Sequence, residues 1–163
     1  MEVVDYTLLK KIIQPRALNS HKGDYGRLLL IGGTYPFGGA IIMAALAAVH
    51  SGAGLVMVAT DRENIAALHA HLPEAMAFDV QDKKLLTEQV QKADVVLIGS
   101  GLAESKLEKA TLRLIVELVS EHQVFIMDGG AISLFSQETL PFSKAQMIFT
   151  PHQKEWERLS GLK

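Results

Sequence analysis

At 163 residues with 48% hydrophobic side chains, the chain has the size and composition of one domain with a substantial core. A net charge of −2 excludes a strongly basic nucleic-acid surface, and the absence of cysteine excludes disulfides and cysteine-based metal sites. The amino-terminal MEVVDYTLLKKIIQPR is not a secretory signal, and the most apolar stretch, Ala40 to Val49, is too short to span a bilayer, so a cytoplasmic chain binding neither membrane nor nucleic acid is expected.

Asp5 is placed to cap a first helix through Leu8, Leu9, Ile12 and Ile13, with Pro15 as its stop. After the polar loop NSHKGDYG comes RLLLI, a short apolar run suited to a strand buried on both faces. AIIMAALAAVHSGAG is apolar on nearly every side and predicts a helix buried between layers, closed by Gly52 or Gly54. LVMVA is the next strand. Thr60 and Glu63 have capping-box spacing ahead of a helix through Ile65, Ala66 and Leu68. EAMAF is a weaker strand signal, and Asp82 caps a helix carrying Leu85, Leu86 and Val90. DVVLIG predicts a strand that runs into Gly99-Ser100-Gly101-Leu102-Ala103. Ser105 then opens a long helix through Leu107, Leu112, Ile115, Val116 and Val119. QVFIMD is a strand ending in Asp128, AISLF a short helix and QMIFT a strand ending in Thr150-Pro151-His152. A last helix begins over Glu155 to Leu159.

Such alternation predicts the α/β class, with a mainly parallel sheet and helices on both faces. Right-handed crossovers place every strand's C-terminal end on one edge, where ligands of open α/β sheets bind.

Three strand ends carry the chemistry. Ile31-Gly32-Gly33, with Phe37-Gly38-Gly39-Ala40 opening the Ala-rich helix, is either a tight packing turn or a site for an anion at a helix start. The spacing is neither the dinucleotide fingerprint nor the P-loop. The turn at Gly99 and Gly101 is a second glycine-rich strand end. The third is Thr150-Pro151-His152-Gln153-Lys154-Glu155, in which His152 projects from the binding edge. Glu155 is either an acid favoured at a helix N-terminus or a functional group one turn along from His152. Asp128 is either a helix cap or a ligand contact. The loop Asn19 to Asp24 falls at the opposite end of the first strand. His50, His69, His71 and His122 lack metal-ligand spacing and read as surface or satisfied helix residues.

HKGDYGRLLLIGG, GGA, AALAAVHSGAGLVMVAT, ADVVLIGSGLA, MDGGAISL and FTPHQKEWERL occur in the order and spacing of one family. From Asn19 onward the chain resembles the ADP- or ATP-dependent NAD(P)H-hydrate dehydratases. These belong to the ribokinase-like superfamily and are related to the carboxy-terminal half of bifunctional NAD(P)H-hydrate repair enzymes. The resemblance implies a three-layer α/β/α fold. It implies repair of the damaged hydrates NADHX and NADPHX by phosphorylation of the hydrate hydroxyl and loss of phosphate, with ADP or ATP as co-substrate and Mg²⁺ as cofactor. It places hydrate-binding positions on Ala40, on the GSGLA turn and on His152. Gly101 is favoured there over Ala103, and Gly39 and Gly99 lie alongside. Glu155 matches an acidic position that helps organise Mg²⁺, and Asp128 matches a second in part, because the usual paired acid is here Gly130. No residue of the chain is expected to ligate a metal directly. Homo-oligomers, often tetramers, and an epimerase acting on the same hydrates are the implied partners.

The sequence departs from the family at two places. The common turn GPGLG has Ser100 and Ala103 in place of its proline and last glycine. The GxGD motif with the catalytic aspartate and the GKG-like nucleotide segment do not occur in these 163 residues. The chain is therefore expected to be a single ribokinase-like domain over 1–163, the amino-terminal portion of a dehydratase, with the hydrate side of the site and no catalytic residue of its own. Two other readings stand beside it. One is a small-molecule kinase of the same superfamily acting on a hydroxymethylpyrimidine or sugar, against which the TPH motif with its nearby Glu argues. The other is a non-catalytic binding or assembly module that has kept a half-site.

Overall fold

The structure, a computed structural model, describes residues 4–138 and 140–162. Six parallel strands lie in the order β3-β2-β1-β4-β5-β6. They are β1 (Arg27–Ile31), β2 (Leu55–Thr60), β3 (Met76–Asp79), β4 (Val95–Ile98), β5 (Val124–Met127) and β6 (Gln146–Phe149). The helices are α1 (Tyr6–Ile12), α2 (Gly38–His50), α3 (Arg62–His71), α4 (Lys83–Lys92), α5 (Lys106–Leu118), α6 (Gly129–Gln137) and α7 (Gln153–Ser160), with a 3₁₀ turn at Lys22–Tyr25.

Successive strand residues point to opposite faces, and this divides the core in two. Leu29, Ile31, Val96, Ile98, Phe125 and Met127 meet Leu86, Leu112, Ile115 and Ile132 of α4, α5 and α6. Leu30, Val56 and Val58 meet Ile41, Ala45 and Leu68 of α2 and α3. Each fully buried Leu, Ile or Phe contributes about 1.5–3 kcal/mol. The second helical layer covers the β1–β3 half of the sheet. On the β6 side Ile148 remains 41% exposed among the described residues.

Asp5, Asp82 and Ser105 cap α1, α4 and α5 through their side chains, as their positions predict. The Thr60–Glu63 capping box does not form. Thr60 ends β2 fully buried, its hydroxyl donating to the Gly33 carbonyl, and Asp61 takes the N-cap position. The register Met57↔Met76 also moves β3 two residues beyond the EAMAF start.

The expectation that α2 is buried between layers is corrected as well. It packs on β1 and β2 on one side, and Met43 on its outward face is 66% exposed. A uniformly apolar helix does not encode which of its faces is covered. None of the residues of α1 is buried. The loop before β1 sits at the far end of the strands, as expected, where Gly54 N–H donates to the Tyr25 carbonyl. His50, His69, His71 and His122 are exposed. Among the described residues no helix is long and apolar enough to cross a membrane.

Among the described residues two titratable groups are perturbed. Lys83 Nζ donates to Thr111 Oγ1 (2.9 Å), joining α4 to α5. Burial pushes its pKa down, against the pull of Glu108 and Asp79. Glu138 accepts from Arg113 and lies 3.3 Å from Lys109 Nζ. Those hydrogen bonds, Arg113's first, hold its carboxyl below the usual carboxylate range. A depressed carboxyl stabilises the fold fully above its unfolded pKa, and that contribution is lost as pH falls through the folded value. Glu138→Gln is therefore expected to flatten the acid limb of stability against pH and leave its slope near neutrality unchanged. Urea unfolding across a pH series measures this.

Candidate functional site

At the C-terminal edge the chain order reverses between β1 and β4, the position where open α/β sheets leave a crevice. The turn after β4 fills part of it. Gly33 N–H donates to the Ser100 carbonyl (2.9 Å), Thr34 N–H to the Gly101 carbonyl (2.8 Å) and Ala103 N–H to Thr34 Oγ1 (3.3 Å). Gly99 (φ 131°) and Gly101 (φ 66°) adopt backbone angles that favour glycine. A Cβ on Gly99 would overlap the Asp128 carbonyl, and one on Gly101 would overlap the Phe37 carbonyl and meet Ala40 Cβ at 3.0 Å. These glycines let the chain pack on its own backbone, and they leave peptide groups on the cleft floor.

Above this floor lies an open cleft of about 740 Å³, a volume suited to a small organic ligand. It is lined by Gly99, Gly101, Leu102, Ala103 and Glu104 after β4, by Gly129, Gly130 and Ser133 of α6, by Phe37, and by His152, Lys154, Glu155 and Arg158 of the α7 segment. Of the residues singled out in the sequence, Gly99, Gly101, His152 and Glu155 converge here. Ala40 packs beside Gly101, but neither Ala40 nor Gly39 lines the cleft. Gly39 is exposed in the first turn of α2, and a Cβ there would meet nothing within 4 Å.

The α7 segment is held by a capping box. His152 Nδ1 accepts from Glu155 N–H (3.2 Å), and a Glu155 carboxylate oxygen accepts from His152 N–H (2.9 Å). Nδ1 as acceptor leaves the proton of the neutral ring on Nε2, which lies 3.3 Å from the other Glu155 oxygen. The His152 side chain is 64% exposed and that of Glu155 only 10%. The helix-terminus reading of Glu155 is thus realised, and His152 presents an exposed imidazole edge.

Asp128 occupies the N-cap position of α6, but its side chain caps nothing. Its two oxygens accept from Ser100 Oγ (3.0 Å) and Thr150 Oγ1 (2.8 Å). The cap reading holds for the backbone alone.

Mg²⁺ would find at most one or two carboxylates here, a set that the phosphate oxygens of a nucleotide would have to complete. Both carboxylates are engaged by the protein, and no group of three or more His, Asp or Glu able to hold a metal occurs among the described residues.

Lys154 and Arg158 were not singled out from the sequence, although their i, i+4 spacing places both on one face of α7. Arg158 donates to Ser133 Oγ (3.2 Å). The pair brings two cations to a cleft that Glu104 and Glu155 also line. Phe37 carried no signal beyond its place before the glycines.

A parallel sheet with this strand order and a glycine-lined cleft at its C-terminal edge define a doubly wound α/β protein. The chain belongs to the NAD(P)H-hydrate dehydratase family, whose model matches residues 28–163. It is 59% identical over 162 residues to the ADP-dependent (S)-NAD(P)H-hydrate dehydratase of Streptococcus pneumoniae, covering 99% of this chain and 56% of that protein. A ribokinase-like superfamily protein of Enterococcus faecalis superposes with a TM-score of 0.94 at 42% identity, over 98% of this chain and 57% of that one. The Bacillus subtilis ADP/ATP-dependent NAD(P)H-hydrate dehydratase, co-crystallized with ATP/Mg²⁺, gives 0.75 at 26% identity, over 95% and 54%. The fold is therefore ribokinase-like, and the chain spans a little over half the length of these relatives.

Proposed function

We propose that this chain forms the hydrate-binding wall of an ADP-dependent (S)-NAD(P)H-hydrate dehydratase. The observation that carries the reading is the convergence of the Gly99–Gly101 turn, His152 and the Lys154/Arg158 pair on one cleft. The dinucleotide's pyrophosphate is the anion that pair would meet, and the exposed His152 imidazole can bond a hydroxyl on the hydrated ring. In the whole protein, ADP phosphorylates that hydroxyl and AMP leaves. Phosphate is then eliminated and the dihydronicotinamide double bond is restored, because phosphate leaves far more readily than hydroxide. The names of the relatives favour ADP over ATP, and Mg²⁺ enters with the nucleotide. The GxGD aspartate is not among these residues, so the proposal assigns them binding and not the proton transfer. A cytoplasmic homo-oligomer working beside an epimerase completes the picture.

Gly39 provides a test. Gly39→Ala should raise stability by up to about 1 kcal/mol through helix propensity, a rise in Tm of about 2–4 °C. The new methyl would intrude on the approach to the α2 start, so affinity for the hydrate should fall about tenfold. Thermal unfolding with calorimetric titration of NADPHX reads both. Unchanged affinity would remove Gly39 from the site.

A further inference from the structure

Three neighbouring strand ends place a polar side chain on the same edge: Ser100 after β4, Asp128 after β5 and Thr150 after β6. Backbone rungs already join them pairwise, with Asp128 N–H donating to the Ile98 carbonyl and Thr150 N–H to the Met127 carbonyl. Asp128 adds a lateral link. One carboxylate oxygen takes the Ser100 hydroxyl at 3.0 Å, and the other takes the Thr150 hydroxyl at 2.8 Å. The same side chain leaves the N-terminus of α6 without a side-chain cap, which an aspartate at that position would ordinarily supply. Its carboxylate is committed across the strands.

We propose that Asp128 is a positioning residue that couples the glycine turn on the floor of the cleft to the α7 segment beside it. Ser100 lies within the glycine turn, between Gly99 and Gly101. Thr150 lies two residues before His152, whose imidazole is fixed by the capping box. One carboxylate therefore sets the separation between the peptide groups of the turn and the His152 ring. Hydrogen bonds to a charged acceptor are stronger than neutral ones, so this link outweighs an ordinary hydroxyl contact. The role needs no metal, in keeping with the engagement of both oxygens. It also gives Ser100 a purpose at the position where the family's common turn carries a proline, which has no hydroxyl to donate.

The proposal rests on the reading of the cleft as the hydrate site, and two separate readouts distinguish them. Amide hydrogen exchange needs no ligand. Thr150→Val should speed exchange of the Leu102 and Ala103 amides about tenfold, although Thr150 lies on a different strand. Ser100→Ala should do the same to Glu155 and Trp156. Thr150→Ser, which keeps the hydroxyl, should restore wild-type exchange. Calorimetry should show NADPHX affinity weakened about tenfold by Thr150→Val and recovered by Thr150→Ser. If each variant loosens its own segment alone, the coupling is overturned. If the exchange pattern appears as expected but wild-type protein binds no NADPHX, the coupling stands and the hydrate reading fails.

Discussion

Gly99→Ala is expected to destabilise the chain by about 3–5 kcal/mol, because about 1–3 kcal/mol of backbone strain adds to an overpacking cost of similar size. Gly99 has φ 131°, far from any well that alanine occupies readily, and the new Cβ would overlap the Asp128 carbonyl. That carbonyl is backbone, so relief requires strand ends to separate rather than a rotamer to change. Gly161→Ala is the control. Gly161 has φ 70° at the C-cap of α7, and a Cβ there would meet nothing within 4 Å. Its replacement should cost only about 1 kcal/mol. Chemical denaturation of the two variants separates backbone strain from overlap, and similar losses would mean that the turn relaxes.

The second large effect concerns His152. His152→Ala removes both the imidazole and the N-cap acceptor of α7, at a cost of about 1 kcal/mol in stability. His152→Asn keeps a good cap and should leave stability within about 0.5 kcal/mol of wild type. Both variants should weaken NADPHX binding about tenfold or more, if the imidazole bonds the hydrate hydroxyl as proposed. A structural role alone predicts that asparagine restores binding along with the cap. Melting temperature and hydrate affinity measured on the same two variants decide between these outcomes.

The layout of the fold was legible because apolar runs bounded by glycines alternate with capped amphipathic segments. Asp5, Asp82 and Ser105 were readable as caps because capping is local. Thr60 misled because its hydroxyl turns inward to the Gly33 carbonyl, a partner 27 residues away. The exposed face of α2 was hidden by its uniform apolar composition. In the site, Gly99, Gly101 and His152 were readable from motifs, yet spacing alone left the turn undecided between packing and binding. Its glycines answer the first demand directly, since their missing side chains make room for Asp128 and Phe37. The Asp128 link had no sequence signal. Its partners lie 28 and 22 residues away, and only the β4-β5-β6 order brings them together.

The most direct test of the central claim is calorimetric titration of (S)-NADPHX into this chain, with NADPH as the control ligand. The account predicts saturable one-to-one binding of the hydrate, with NADPH, which lacks the hydroxyl, about tenfold weaker or more. No saturable binding of the hydrate, or equal affinity for the two ligands, would contradict it.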